Sequence, residues 1–159
     1  MGCKVLVTVG TTSFDALIKA VDNPATQMEL KRLGYTDICY QVGTSSLKIR
    51  NKILRTRVVP FEHDFETLLK KSELIISHMG GGTIIDVFRL RKKAIFVPNP
   101  DVSGNHQVQL FRIMDSRFTA TLETLQGKIA MATETPGDFF AKILPPIPFN
   151  HAMENMLSQ

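Results

Sequence analysis

The residues Ser77-His78-Met79-Gly80-Gly81-Gly82-Thr83 carry the clearest chemical signal in the chain. Apolar Leu74-Ile75-Ile76 precedes them and Ile84-Ile85 follows, a pattern of strand, tight turn and helix. Consecutive glycines leave the turn without Cβ atoms, so backbone N–H groups can approach a ligand closely. The helix beyond adds N–H donors that lack intrahelical partners, and the positive end of its dipole. That combination favours a phosphate. Taken alone, the glycines fit a plain flexible turn equally well. A second turn, Gly10-Thr11-Thr12-Ser13, follows the apolar run 4–9, and a third, Gly43-Thr44-Ser45-Ser46, follows the β-prone run 36–42. The first has a single glycine, so it is not the dinucleotide fingerprint G-x-G-x-x-G. Its hydroxyls serve a phosphate or cap a helix, and Ser13 is the expected cap.

Other chemistries find less support. The four histidines, His63, His78, His106 and His151, lack metal-ligand spacing, and so do Cys3 and Cys39. Both cysteines are expected to be reduced, structural thiols. The net charge of +4 is concentrated in two clusters. One is Lys48, Arg50, Lys52, Arg55 and Arg57; the other is Arg89, Arg91, Lys92 and Lys93. Each reads first as a solvated face, and no interleaved aromatics mark a nucleic-acid platform. No apolar run is long enough to span a membrane, and the first residues have no signal-peptide order. Gly2 lacks the Ser or Thr that a myristoylation motif needs, since Leu6 stands at that position.

Strands and helices must position these turns. Strands are expected over 4–9, 36–42, 53–59, 73–77 and 94–97. Phe14, Leu17, Ile18 and Val21 follow helical spacing. Pro24 opens a second helix, with Met28, Leu30 and Leu33 as its apolar positions, and Gly34 ends it. Asp64 caps a helix over 65–71 with Phe65, Leu68 and Leu69 facing in, and the triple-glycine turn starts a helix that runs to about Leu90. Further helices are expected over 105–114 and 138–144, and short β-prone pieces over 118–121 and 128–133. Alternating strands and helices make an α/β fold with a parallel sheet. The turns after Val9, Val42, Ser77 and Val97 then share the carboxyl edge, where such sheets bind ligands. Residues 1–144 form one domain. Pro145, Pro146 and Pro148 break the chain before a tail over 145–159, whose apolar and methionine side chains suit adaptable contacts with a partner.

Three segments together carry a resemblance: VTVGTTSFDALI from Val7, ISHMGGGTIID from Ile76, and Asn105-His106-Gln107. They resemble glycosyltransferase family 28, in particular its eukaryotic cytosolic UDP-N-acetylglucosamine transferase subunits. They are also similar to the C-terminal half of the bacterial transferase of lipid II synthesis. The resemblance covers most of 4–115. It implies a Rossmann-like sheet with helices on both faces, the donor-binding half of a GT-B glycosyltransferase. It also implies the activity of N-acetylglucosaminyldiphosphodolichol N-acetylglucosaminyltransferase, the second step of lipid-linked oligosaccharide assembly for N-glycosylation. A membrane-anchored partner subunit would hold the lipid-linked sugar acceptor. This chain would be cytoplasmic, recruited by that partner to the cytosolic face of the endoplasmic reticulum. No cofactor and no metal are implied, the helix dipole and hydrogen-bond donors offsetting the diphosphate charge.

The resemblance also implies roles for residues. Gly80, Gly81, Gly82 and Thr83 hold the diphosphate, with Thr11 and Thr12 facing it across the cleft. Asp86 stands where the family usually has Glu on the ribose hydroxyls, one methylene shorter. Backbone groups at Phe61-Glu62 read the uracil edge, and Asn105, His106 and Gln107 contact the sugar and phosphate side. His78 is a candidate base, but its favoured role is orienting the glycine turn, because an inverting transferase needs its base on the acceptor side. Where the family has Gly-Lys-Pro before its last strand, Arg91-Lys92-Lys93-Ala94 stands here. Two alternatives remain open at this point: a subunit of a bacterial-type exopolysaccharide UDP-sugar transferase, and a non-catalytic nucleotide-binding subunit.

Overall fold

A computed structural model describes residues 4–102 and 106–134. Five strands, β1 (Val5–Thr8), β2 (Asp37–Gln41), β3 (Arg55–Val59), β4 (Leu74–His78) and β5 (Lys93–Val97), form one parallel sheet in the order β3-β2-β1-β4-β5. The α/β, Rossmann-like architecture expected from the sequence is the one observed. Val7 lies in register with Tyr40 on one side and Ile76 on the other. The strand order reverses between β1 and β4, which puts the turns after those strands side by side at the carboxyl edge.

Side-chain alternation along the strands feeds two cores. Val5, Val7, Tyr40, Ile76 and Ile95 pack with α1 (Asp15–Val21), α2 (Pro24–Arg32) and α6 (Leu125–Glu134). Leu6, Cys39, Ile75 and Phe96 pack on the other face with α3 (Phe65–Lys71), α4 (Gly81–Arg89) and α5 (His106–Ile113). With both faces covered, the inner strands are apolar almost throughout, as parallel sheets require. Asn23 caps α2 through Ala25 N–H, and Asp64 caps α3 through Thr67 N–H. Among the described residues, no helix is long and apolar enough to cross a membrane.

Local readings of the sequence and the structure differ at three places. Ser13 does not cap α1. The cap position is Phe14, which makes no side-chain cap bond, while the Ser13 carbonyl accepts from Asn99 Nδ2 at 3.2 Å. Met28 is 62% exposed, because α2 turns Thr26, Gln27 and Leu30 inward instead. Gln27 is drawn in by a 3.1 Å bond to the buried Tyr40 hydroxyl. Residues 128–133 are helical rather than β-prone. Leu125, Ile129 and Ala132 recur at helical spacing and bury one face against the core, which outweighs the β propensity of Ile129 and Thr133. The β-prone stretch 118–121 reaches the sheet at a single bridge, Phe96 with Thr119. The helix expected over 138–144, the domain boundary at 144 and the tail over 145–159 lie outside the described residues.

The Arg-Lys-Lys departure has a structural consequence. After α4, the N–H of Arg91 bonds to the Phe88 carbonyl and that of Lys92 to the Val87 carbonyl, both at 3.0 Å. This is the Schellman arrangement, whose left-handed residue is normally glycine. Here Arg91 takes it, with φ of 53°. We expect Arg91→Gly to raise unfolding free energy by about 0.5–1 kcal/mol, the relief of a left-handed Cβ less the entropy glycine adds to the unfolded chain. Urea melts of the two proteins check this, and a destabilised Gly variant would refute it.

Candidate functional site

The turns after β1 and β4 meet around one imidazole. His78 ends β4 and is 9% exposed. A Cβ added to Gly10 would lie 2.7 Å from its Cε1, and one added to Gly80 would lie closer still to its Nε2. Gly10 also has φ of 67°, a conformation in which a side chain is strained. Two of the glycines at this edge therefore make room for a histidine of the same chain. The Ser77 hydroxyl donates to the His78 carbonyl at 2.7 Å and lies 3.3 Å from Nδ1. The ring also bonds to the Thr8 backbone. This packing is that of a spacer between two turns.

Gln41 grips the first turn from the β2 side. It is 3% exposed. Its Oε1 accepts from Gly10 N–H at 3.1 Å and from the Thr8 hydroxyl, while Nε2 donates to the Gly10 carbonyl at 2.8 Å and the Pro60 carbonyl at 2.7 Å. Every hydrogen-bonding position of the amide is used, so its orientation is determined. The turns after β1 and β3 are thereby joined through one side chain.

Beside this support lies an open cleft of about 320 Å³. Gly10 and Thr11 form one wall, and Phe61, Glu62 and Phe65 form another. Gly82, Thr83 and Asp86 of α4 close the third side, with Gln41 in the floor. Helix α4 has no side-chain cap, so its first-turn N–H groups have no side-chain acceptor. Nothing lies within 4 Å of the position a Cβ would take at Gly82. The backbone there is open to a ligand, in contrast to Gly80. Phe61 is 50% exposed, an aromatic face left at the cleft edge.

The acidic residues of the cleft are partly neutralised. Asp86 lies 3.2 Å from Arg89, which also pairs with Glu66 at 2.8 Å, and Glu62 lies 3.4 Å from Arg57. Among the described residues, no three His, Cys, Asp or Glu side chains converge in a metal-binding group.

The sequence-derived site residues separate accordingly. Thr11, Phe61, Glu62, Gly82, Thr83 and Asp86 share the cleft, with Gly81 in the first turn of α4. Thr12 turns its hydroxyl to the Val9 carbonyl at 3.3 Å and does not line it. Gln107 accepts from Asn99 N–H at 2.7 Å, and Asn99 reaches Ser13, so this pair ties the start of α5 to the first turn. His106 is exposed at the start of α5, and Asn105 lies outside the described residues. Gly10, Gln41 and Phe65 belong to the cleft without having been singled out. Gly10 lies in a turn that the sequence marks as a phosphate candidate, and Gln41 leaves a weaker signal, a polar residue near the end of the β2 run.

Comparison with known proteins follows the same lines. The model of the glycosyltransferase family 28 C-terminal domain matches residues 4–109. The UDP-N-acetylglucosamine transferase subunit ALG13 of Homo sapiens is 28% identical over 141 residues, taking in 84% of this chain but only 12% of the human protein. The subunit of the same name from Kluyveromyces lactis is 32% identical over 141 residues, covering 67% of this chain and 72% of that protein. In fold, the chain resembles MurG of Acinetobacter baumannii, with a TM-score of 0.64 at 18% identity, over the whole of this chain and 50% of that one.

Burial holds the His78 imidazole below its ordinary pKa of 6.5, opposed by its bond to the Thr8 backbone. The unfolded chain therefore binds that proton more readily than the folded protein. The site's contribution to stability is complete above the unfolded value of 6.5 and is lost as pH falls through the lower, folded pKa. We expect the melting temperature to fall in that acid window, and the fall to be shallower in His78→Gln. Parallel slopes for the two proteins would show that another group is responsible.

Proposed function

Because the chain belongs to the glycosyltransferase family 28 C-terminal domain family, we propose that it is the donor-binding, catalytic subunit of a two-subunit inverting transferase. Its donor is UDP-N-acetylglucosamine. The acceptor is N-acetylglucosaminyl-diphosphodolichol, held by a membrane-anchored partner at the cytosolic face of the endoplasmic reticulum. The observation that carries this reading is the uncapped N-terminus of α4, which opens into the cleft opposite Thr11.

The diphosphate lies against the N–H groups of the first turn of α4, from Gly81 to Thr83, where the helix dipole stabilises negative charge most. That charge grows on the leaving UDP as the glycosidic bond breaks, so donors already in position lower the barrier with little reorganisation. Asp86 accepts from the ribose hydroxyls. It also pairs with Arg89 at 3.2 Å, which leaves the carboxylate oxygens shared between the guanidinium and the ribose. The backbone at Phe61 and Glu62 reads the uracil edge, and Asn105, His106 and Gln107 face the sugar. Gln41 and His78 hold the walls and take no proton in transfer. The base that activates the acceptor hydroxyl comes from the acceptor side. No metal is needed in this scheme.

Lipid-linked chitobiose formation, assayed with and without the membrane-anchored partner, tests the whole reading. Turnover in the paired sample alone supports it. UDP-sugar binding without turnover in any pairing would make the chain a non-catalytic nucleotide-binding subunit. Turnover with another lipid-linked acceptor would favour the exopolysaccharide alternative.

Two substitutions test the cleft. Gly82→Ala meets no protein atom and improves helix propensity, so stability holds or rises by up to about 1 kcal/mol. Its methyl crowds the diphosphate, and UDP binding by calorimetry weakens about tenfold, equivalent to about 1.4 kcal/mol. Unchanged affinity would remove the phosphate from this turn. Asp86→Ala weakens UDP several-fold and leaves the 2′,3′-dideoxy analogue unaffected. Equal losses for the two nucleotides would remove Asp86 from the ribose.

A further inference from the structure

The connection from β2 to β3 has no helix, and its side chains alternate between exposed and half-buried over 44–53, as in extended chain. Leu47 and Ile49 point inward and pack on the core beneath α1. Lys48, Arg50 and Lys52 alternate with them and are exposed. Two residues of extended chain advance about 6.6 Å, so the three cations form a line. The backbone under that line is anchored. Asp22 accepts from Arg50 N–H at 2.8 Å and from Asn51 N–H at 2.9 Å, and Asn51 Nδ2 returns to the Asp22 carbonyl at 2.7 Å. Lys19 of α1 joins Lys48 and Arg50 around a surface cavity of about 480 Å³.

Half of the other cations in the described chain are held in ion pairs. Arg55 pairs with Asp37, Arg57 with Glu62, Lys70 and Arg89 with Glu66, and Arg117 with Asp115. Among the described residues, no carboxylate forms an ion pair with Lys19, Lys48, Arg50 or Lys52. The one acid in the cavity, Asp22, is committed to backbone N–H groups.

We propose that this row is a contact surface for the anionic headgroups of a lipid bilayer. A rigid backbone that carries flexible, unpartnered cations in a line matches a diffuse negative surface. A discrete anion site would hold its donors convergent and buried, and these are exposed. An acidic protein segment would need an apolar anchor, and among the described residues Ile18 and Leu47 alone line the cavity with apolar side chains. Each cation near an anionic leaflet raises the binding constant about fivefold, so the row gives weak, salt-sensitive attachment. Such a contact orients the domain at a surface without anchoring it permanently.

Flotation of the full chain with vesicles tests the proposal. Binding is expected to vesicles of equal parts phosphatidylcholine and phosphatidylserine, to be absent with phosphatidylcholine alone, and to be abolished by high salt. Lys48→Glu/Arg50→Glu/Lys52→Glu should lose at least about a hundredfold in affinity. If that protein melts early, the corresponding triple Gln variant, which adds no repulsion, should still lose most of the binding. Reversal of two cations elsewhere, Lys71→Glu/Arg91→Glu, should leave binding within about twofold of the unmodified chain, which distinguishes this row from general basicity. UDP affinity should be the same in all of these proteins, so the outcome is independent of the nucleotide cleft. The proposal is overturned if the unmodified chain does not float, or if the triple variant floats equally. It is also overturned if inorganic phosphate displaces the chain more than chloride of equal ionic strength, since that marks a discrete anion pocket.

Discussion

The geometry of the carboxyl edge depends on one imidazole held between two glycines. His78 takes the space that Cβ atoms at Gly10 and Gly80 would need, and so sets the distance between the turns after β1 and β4. Those strands are neighbours because the strand order reverses there, and a reversal leaves a crevice between the two turns. A smaller side chain would let the turns close together, and a larger one would push α4 out of line. Thr11 on one side and the first turn of α4 on the other keep their separation for this reason. Gln41 completes the support by joining the Gly10 turn to Pro60 through a fully satisfied buried amide. Because that amide is out of water, any loosening would leave polar groups unpaired, at a cost of about 1–3 kcal/mol each.

On this frame the cleft manages charge with dipoles and paired acids. The α4 N-terminus supplies uncapped N–H donors, while Asp86 and Glu62 are each balanced by an arginine. An anionic ligand in the cleft therefore meets little net repulsion from these two carboxylates. Arg89 lies between Asp86 and Glu66 and pairs with both.

Much of the fold was legible because local patterns and tertiary burial agreed. The apolar strand runs, Pro24 with Asn23 before it, Asp64 and the glycine turns each specify their element, and the sheet is built from them. The discrepancies arise where burial overrides a local preference. The segment 128–133 has β-prone residues, yet a helix places Leu125, Ile129 and Ala132 together on the core. Ser13 has the chemistry of a cap, yet its backbone is engaged by Asn99, which is 86 residues away in sequence. Met28 looks like core and faces solvent, because Gln27 has a buried hydroxyl to satisfy.

For the site, residue order alone established that Gly80 to Thr83, Asp86 and the Phe61-Glu62 segment belong near one edge, since parallel strands bring successive turns to the same end. It also established the family, through three motifs in fixed order. Only the tertiary structure distinguished glycines that look alike in sequence. Gly80 is filled by a histidine ring and Gly82 is open to a ligand, because the space around a backbone atom depends on what distant segments place there. The same holds for the two threonines of the first turn: Thr11 lines the cleft and Thr12 is turned to the Val9 carbonyl. Composition and spacing define which chemistry is present. Which of those groups face the same volume is settled by packing across the sheet.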